Sequence, residues 1–163
     1  MNRSKVFFFD LEETVIECWS NPILCNKDKI ISFIQQNNVE EVHIFSAAIW
    51  DDRDKSIFEK TLKSWLEDTF NIKILSWPSM TEVWKETQWK ICKFENVQEI
   101  IAMIGKKRMF EDWCKIKHHK DSHCILLDDS FDEEVLFNKV HNTAIEVVDV
   151  NKVQIIKKGN KHD

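Results

Sequence analysis

Acidic and hydroxyl side chains stand at the ends of three apolar runs in this chain. Asp10 follows Lys5–Phe9, Ser46 follows Val42–Phe45, and the pair Asp128-Asp129 follows Cys124–Leu127. Carboxylates gathered in one place can transfer protons, attack an electrophilic atom or bind a metal cation. Each of these residues could also cap a loop or the start of the next helix. The sequence therefore predicts a carboxylate site only if the fold brings the ends of these runs together.

The segments around these runs predict such a fold. Short apolar runs, each expected as a strand, alternate with segments of helical period. The predicted strands are Lys5–Phe9, Val42–Phe45, Ile72–Leu75, Cys124–Leu127 and Ala144–Val148, and the predicted helices are Lys27–Gln36, Asp52–Phe70, Gln98–His118 in two pieces, and Phe131–Val140. This alternation is typical of an α/β, three-layer Rossmann-like domain with a five-stranded, mainly parallel sheet and helices on both faces. The carboxyl ends of such strands open on one crevice.

Length and composition limit the organisation and the function classes. The 163 residues suit one domain over 1–163, with an irregular, tryptophan-rich insertion at about 76–94 and a polar tail at about 157–163. Two glycines cannot supply a glycine-rich phosphate loop or a dinucleotide-binding fingerprint. A formal net charge of -5 gives no overall attraction to nucleic acid or to an anionic membrane.

The cysteines and the first residues indicate the cellular setting. Five cysteines at irregular spacing, without a CxxC pair, are typical of reduced thiols. The apolar run that ends at Asp10 is too short for a signal-peptide core or a membrane span. We expect a cytoplasmic protein that does not bind membranes.

Three of the apolar runs resemble signatures of a known family. The run Phe7-Phe8-Phe9-Asp10-Leu11-Glu12-Glu13-Thr14-Val15 resembles the first signature of the haloacid dehalogenase-like (HAD) superfamily, an apolar strand followed by Asp-x-Asp-Gly-Thr. The run Val42-His43-Ile44-Phe45-Ser46 resembles the second signature, an apolar strand ending in Ser or Thr. The resemblance implies that Asp10 is a nucleophile toward phosphorus, that Glu12 is the acid/base, and that Ser46 contacts the phosphoryl group.

The remaining two signatures concern the metal ion and a lysine. The run Ile125-Leu126-Leu127-Asp128-Asp129 resembles the fourth signature, whose acids help to hold Mg²⁺ beside the nucleophile. The resemblance therefore implies a Mg²⁺ cofactor with Asp10, Glu12, Asp128 and Asp129 around it, in keeping with the preference of Mg²⁺ for oxygen ligands. The third signature is a lysine before this strand. Lys115 is the first choice for it, and Lys117, Lys107 and Lys120 are further candidates.

Two departures from the first signature leave two functions open. Glu12 replaces the usual aspartate and Glu13 the usual glycine. The first hypothesis is a Mg²⁺-dependent phosphohydrolase that forms an aspartyl-phosphate. Its substrate would be a phosphomonoester. The segments outside the strands allow only a small cap or none, and in this superfamily an open site often implies a large substrate such as a nucleic-acid end or a phosphoprotein, with a small nucleotide as a further candidate. The alternative is a catalytically degenerate HAD-fold module that binds a protein or nucleic acid.

Tryptophans support the binding alternative. Trp50, Trp77, Trp84 and Trp89 stand in less regular stretches, with Lys85, Lys90 and Lys93 between and beside the last two. Aromatic faces stack on nucleobases and anchor protein interfaces. A nucleic-acid partner is therefore an expectation to set beside the phosphorylated substrate.

Overall fold

The computed structural model describes residues 4–87, 105–117, 121–129, 134–138 and 143–156, together with Trp89, Glu95 and Glu99. Its main feature is a six-stranded sheet with the strand order β5-β4-β1-β6-β8-β7. These strands are β1 (Ser4–Phe9), β4 (Glu41–Ile44), β5 (Lys73–Ser76), β6 (Ser122–Asp128), β7 (Glu134–Asn138) and β8 (Thr143–Asp149). All neighbours are parallel except β7, which runs antiparallel to β8.

The centre of the sheet explains why its strands are continuous apolar runs. Strand β1 lies between β4 and β6, with Phe8 opposite Leu126 and Phe9 opposite Leu127. Side chains of a strand alternate between the two faces of the sheet, so a strand covered on both faces needs apolar residues at every position. Phe8, Phe9, Leu126 and Leu127 are all at most 2% exposed.

Helices cover both faces and form two apolar clusters. The helices are α1 (Lys27–Asn37), α2 (Asp52–Thr61), α3 (Lys63–Phe70), α4 (Met80–Glu86) and α5 (Lys106–Lys117). The first three place residues such as Phe33, Phe58 and Leu66 in one cluster with Phe7 and Phe9. Helices α4 and α5 place residues such as Met80, Phe110 and Trp113 in the other cluster, with Phe8 and Leu126. The three-layer, Rossmann-like α/β prediction is confirmed.

A small hairpin follows β1 directly. Strands β2 (Ile16–Cys18) and β3 (Asn21–Leu24) pair antiparallel in a sheet of their own. The hairpin and α1 occupy the whole connection between β1 and β4. Asn21, Pro22 and Ile23 in β3 are exposed, and Ile23 is 53% accessible. The chain therefore carries a short projecting element, and no full domain, at this point.

Two of the predicted segments need correction, and other predicted stretches lie outside the described residues. Phe131–Val140 was predicted as a helix, but Glu134–Asn138 is strand β7, paired through Leu136 opposite Ile145. The segment at about 76–94, predicted as irregular, contains helix α4, which begins with a capping box between Ser79 and Glu82. Residues 98, 100–104 and 118 of the predicted helix Gln98–His118, the residues 90–94 and the tail at 157–163 lie outside the described residues.

None of the helices among the described residues combines the length and the apolar character that crossing a membrane requires.

Candidate functional site

Three carboxylates converge at the carboxyl ends of β1 and β6. Asp10 directly follows β1, Asp128 is the last residue of β6, and Asp129 follows it. The parallel register brings them side by side, since the amide of Asp10 donates to the carbonyl of Leu127 at 3.0 Å. Each acid places a carboxylate oxygen within 4.8 Å of the others. The convergence predicted from the order of the strands is therefore present.

A lysine joins two of these carboxylates. Lys106, the first residue of α5, places its Nζ 2.7 Å from Asp10 Oδ1 and 2.7 Å from Asp128 Oδ2. The side chains are 11% (Lys106), 7% (Asp10) and 0% (Asp128) exposed. Burial on its own lowers the pKa of Lys106, but the charges of Asp10 and Asp128 outweigh burial and raise that pKa above its ordinary value. The ammonium is therefore charged at neutral pH and neutralises part of the carboxylate group.

Thr14 lies on the opposite side of Asp10. Its Oγ1 is 2.9 Å from Asp10 Oδ2 and 3.2 Å from Asp129 Oδ1, and the residue is fully buried. A hydroxyl has one proton, so it can donate to only one of the two acids at a time. When Thr14 donates to Asp10, each carboxylate oxygen of Asp10 accepts from one donor, Oδ1 from Lys106 and Oδ2 from Thr14. Both contacts fix the orientation of its carboxylate.

Asp129 is the acid whose protonation the cluster changes most clearly. Burial raises the pKa of Asp129 to about 7, with further contributions from the negative charges of Asp128 and Asp10. Ionising the third acid beside the other two is therefore costly in the metal-free protein. When all three acids are ionised, one ammonium leaves a net charge of minus two, which a single divalent cation neutralises.

The chemistry of these donors suits magnesium. Mg²⁺ is a hard cation that prefers carboxylate oxygens and water, and it is usually bound by one or two carboxylates rather than by a complete protein cage. Asp10, Asp128 and Asp129 offer such oxygens, and Asp129 is partly exposed, so water can complete the coordination. The group contains neither cysteine nor histidine, which softer metals favour.

The lysine that contacts the carboxylates is Lys106, whereas the sequence favoured Lys115 as the lysine of the third signature. Lys115 is nine residues beyond Lys106, about 13 Å further along the axis of α5, and its Nζ pairs with Glu111 at 3.4 Å. Lys117 pairs with Glu86, and Lys120 lies outside the described residues. Gly105, at φ 94, directly precedes the first turn of α5 and lies within the segment Gln98–His118 that the sequence predicts as a helix in two pieces. A helix that begins after this glycine has Lys106 in its first turn. Gly105 is therefore a sequence signal that could have identified Lys106 as a candidate.

Glu12 lies outside the carboxylate group. Its Oε2 accepts a hydrogen bond from the backbone amide of Trp19 in the β2–β3 hairpin. The potential ligand set found among the described residues comprises Asp10, Asp128 and Asp129. Glu12, predicted both as the acid/base and as a metal ligand, is therefore not among the three acids that the structure brings together. Its carboxylate instead connects the hairpin to the segment that follows β1.

Glu13 occupies a conformation that favours glycine. Its φ is 65°, in the left-handed region where a side chain is strained. Its amide donates to the carbonyl of Ile16 at 2.7 Å, which closes the turn into the hairpin. A charged residue thus occupies a backbone conformation that glycine adopts without strain.

Ser46 lies at the same edge of the sheet. It follows β4 and is 1% exposed, and the amide of Phe45 donates to the carbonyl of Phe9 at 3.0 Å. Ser46 Oγ accepts from the amide of Ala48 at 3.2 Å, which fixes the turn after β4. The predicted phosphoryl contact thus stands beside the end of β1, and its role stays a prediction.

Two of the tryptophans considered for nucleic-acid contact, Trp84 and Trp89, form hydrogen bonds within the protein. Trp84 Nε1 donates to the carbonyl of Trp89 at 3.0 Å, and Trp89 Nε1 donates to Asp112. Arg108 lies over the ring of Trp89, 5.5 Å from its centroid. Lys90 and Lys93 lie outside the described residues.

Comparisons of the chain with protein-family models, with curated proteins and with solved structures found no match.

Proposed function

We propose that this chain is a HAD-type, Mg²⁺-dependent phosphohydrolase that acts through an aspartyl-phosphate at Asp10. The observation that carries the proposal is the position of the Lys106 ammonium, 2.7 Å from both Asp10 and Asp128. A lysine buried between a candidate nucleophile and a candidate metal ligand can balance the negative charge that a phosphoryl group brings. Thr14 and Lys106 hold the Asp10 carboxylate at both oxygens, which favours one direction of attack.

The chemistry requires two transfers at phosphorus. A carboxylate oxygen of Asp10 forms a bond to phosphorus while the bond from phosphorus to the leaving oxygen breaks, and the leaving oxygen takes a proton from the acid/base. Water then attacks the same phosphorus and gives a proton back to the acid/base, the bond from phosphorus to Asp10 breaks, and inorganic phosphate is released. Lys106 and Ser46 would contact the phosphoryl oxygens in both transfers. The substrate class is a phosphomonoester.

The metal ion would be held by Asp10, Asp128 and Asp129. Its contribution when bound is positive charge next to the phosphoryl oxygens. The residues fit a dication because burial and the negative charges of Asp128 and Asp10 raise the pKa of Asp129, and a bound cation would offset both effects.

An assay of phosphomonoester hydrolysis with Mg²⁺ tests the proposal. We expect Asp10→Asn and chelation of the metal by EDTA each to abolish activity. Asp68→Asn, which changes an exposed aspartate on α3, should leave activity unchanged. Activity that survives Asp10→Asn in the presence of Mg²⁺ would rule out the proposed nucleophile.

One observation favours the alternative of a catalytically degenerate binding module. The carboxylate of Glu12 accepts a hydrogen bond from the amide of Trp19 in the hairpin. Catalysis would need this same carboxylate as the acid/base. Glu12→Gln separates the two functions, because an amide oxygen still accepts this hydrogen bond but cannot transfer a proton. If Glu12 is the acid/base, the variant loses about 10²- to 10⁴-fold in rate. An inactive wild-type protein that gains activity with Glu12→Asp and Glu13→Gly would favour the binding module.

A further inference from the structure

A second concave site lies away from the carboxylate group. A groove of about 700 Å³ is bounded by α2, the end of β5, α4 and the C-terminal half of α5. Its lining includes Trp77 and Trp113 as well as Lys117, which is eleven residues beyond Lys106 and thus about 16 Å further along α5. This volume is within the range of small-molecule sites. Nothing in the proposed hydrolase chemistry uses this groove.

The charges of the groove are unbalanced. One face of helix α2 lines the groove. This face carries, at helical spacing, Asp52, Lys55, Ser56 and Glu59. Lys55 is matched by Glu82 at 2.7 Å, and Lys117 is matched by Glu86 at 2.9 Å. Asp52 and Glu59 are exposed, and within the described parts of the chain neither forms an ion pair. The groove therefore has two carboxylates without an ion-pair partner among the residues that the structure describes.

The aromatic walls already accept ammonium groups. Lys63 Nζ lies 5.4 Å from the ring centroid of Trp77, and Lys117 Nζ lies 5.1 Å from that of Trp113. Such distances are within the range of cation–π attraction. Leu75, which is 41% exposed, adds an apolar surface next to Trp77. The lining thus combines aromatic and aliphatic surface with unmatched negative charge.

We propose that this groove binds a linear aliphatic polyamine. Asp52 and Glu59 are seven residues apart on one face of α2, about 10 Å along the helix axis, so two ammonium groups on one flexible chain can reach both. The methylene stem between them would lie against Trp77 and Leu75. The excess negative charge disfavours phosphorylated or carboxylate ligands at this groove, which makes the site distinct in chemistry from the proposed phosphomonoester site.

Calorimetric titration with spermidine tests the site. The titration contains saturating Mg²⁺, so that the carboxylates at Asp10 and Asp128 do not compete for the amine. We expect saturable binding that weakens about tenfold in the double variant Asp52→Asn/Glu59→Gln and weakens again as salt is raised. The matched control is Asp28→Asn/Glu41→Gln. Asp28 is in the first turn of α1 as Asp52 is in that of α2, and Glu41 is exposed as Glu59 is.

Two further ligands complete the test. Octane-1,8-diol has a similar length but no charge, and we expect it to bind at least tenfold more weakly than spermidine. A short lysine-rich peptide that binds through Asp52 and Glu59 more tightly than spermidine would overturn the polyamine assignment. Equal binding of spermidine by the wild type and by the Asp52/Glu59 double variant, or equal binding of the diol, would overturn the site itself.

Discussion

Replacing Lys106 by methionine is the sharpest perturbation of the carboxylate site. The variant keeps the length and most of the volume of the side chain but removes the ammonium from between Asp10 and Asp128. All three side chains are at most 11% exposed, so water cannot replace the lost charge easily. Removing one partner of a buried ion pair typically costs about 3–5 kcal/mol, because the remaining charge is left buried and uncompensated.

We expect Lys106→Met to lower the free energy of unfolding by about 3 kcal/mol in metal-free buffer at neutral pH, since protonation of the acids relieves part of the cost. For a chain of this size, that loss corresponds to a decrease of about 6–12 °C in Tm. Saturating Mg²⁺ should restore more stability to the variant than to the wild type, because the dication then supplies the missing positive charge. Urea denaturation with and without Mg²⁺ measures both effects.

Lys115→Met is the matched control on the same helix. Its partner Glu111 is 3.4 Å away, and the two side chains are 33% and 20% exposed. Partly exposed pairs of this kind contribute at most about 1 kcal/mol. If Lys106→Met costs no more than Lys115→Met, the ion pairs at Lys106 do not hold the carboxylates together and the reasoning is refuted.

Three further changes test other contacts. Thr14→Val should cost about 1.5–3 kcal/mol in urea denaturation, because the buried Asp10 carboxylate loses a hydrogen bond. Burial raises the pKa of Asp129 from the ordinary carboxyl value near 4 to about 7, so the metal-free protein should lose stability as pH rises from about 4 to about 7, and Asp129→Asn should reduce this slope. Asp51→Ala should cost about 1 kcal/mol, because the carboxylate caps α2 by accepting from the amide of Asp54 at 3.1 Å.

The same pKa gives a prediction for metal binding. Mg²⁺ binds the ionised carboxylate, so its affinity should increase as pH rises through 7, and binding below pH 7 should release a proton from Asp129. Calorimetry in two buffers with different ionisation enthalpies measures that proton. A pH-independent affinity between pH 6 and pH 8 would show that Asp129 is not a ligand.

The sequence predicted the parts of the site that strand order determines. Asp10 and Asp128 each end a continuous apolar run, and parallel pairing of those runs leaves one arrangement for their carboxyl ends. Ser46 follows the same rule. The sequence also predicted five strands and three layers. It could do so because buried strands and helices require apolar residues at regular spacing, and this spacing can be read from each segment alone.

The contacts that were missed depend on how elements dock. Gly105 could have indicated the start of α5, but the contacts of Lys106 with Asp10 and Asp128 depend on how the first turn of α5 docks beside the ends of β1 and β6, which no local pattern predicts. The Glu12 contact exists because a hairpin turns back to place Trp19 beside it. The sequence of β7 was assigned to a helix because a short apolar run fits either structure, and only pairing with β8 decides it.

The most direct test of the proposed function is a search for the covalent intermediate. The protein is incubated with Mg²⁺ and a radiolabelled small phosphoryl donor such as acetyl phosphate, quenched in acid and digested. Because an acyl phosphate is cleaved by hydroxylamine, we predict a hydroxylamine-sensitive label on the peptide that contains Asp10, present in the wild type and absent from Asp10→Asn. Turnover without a label, or a label that persists in Asp10→Asn, would contradict the proposal.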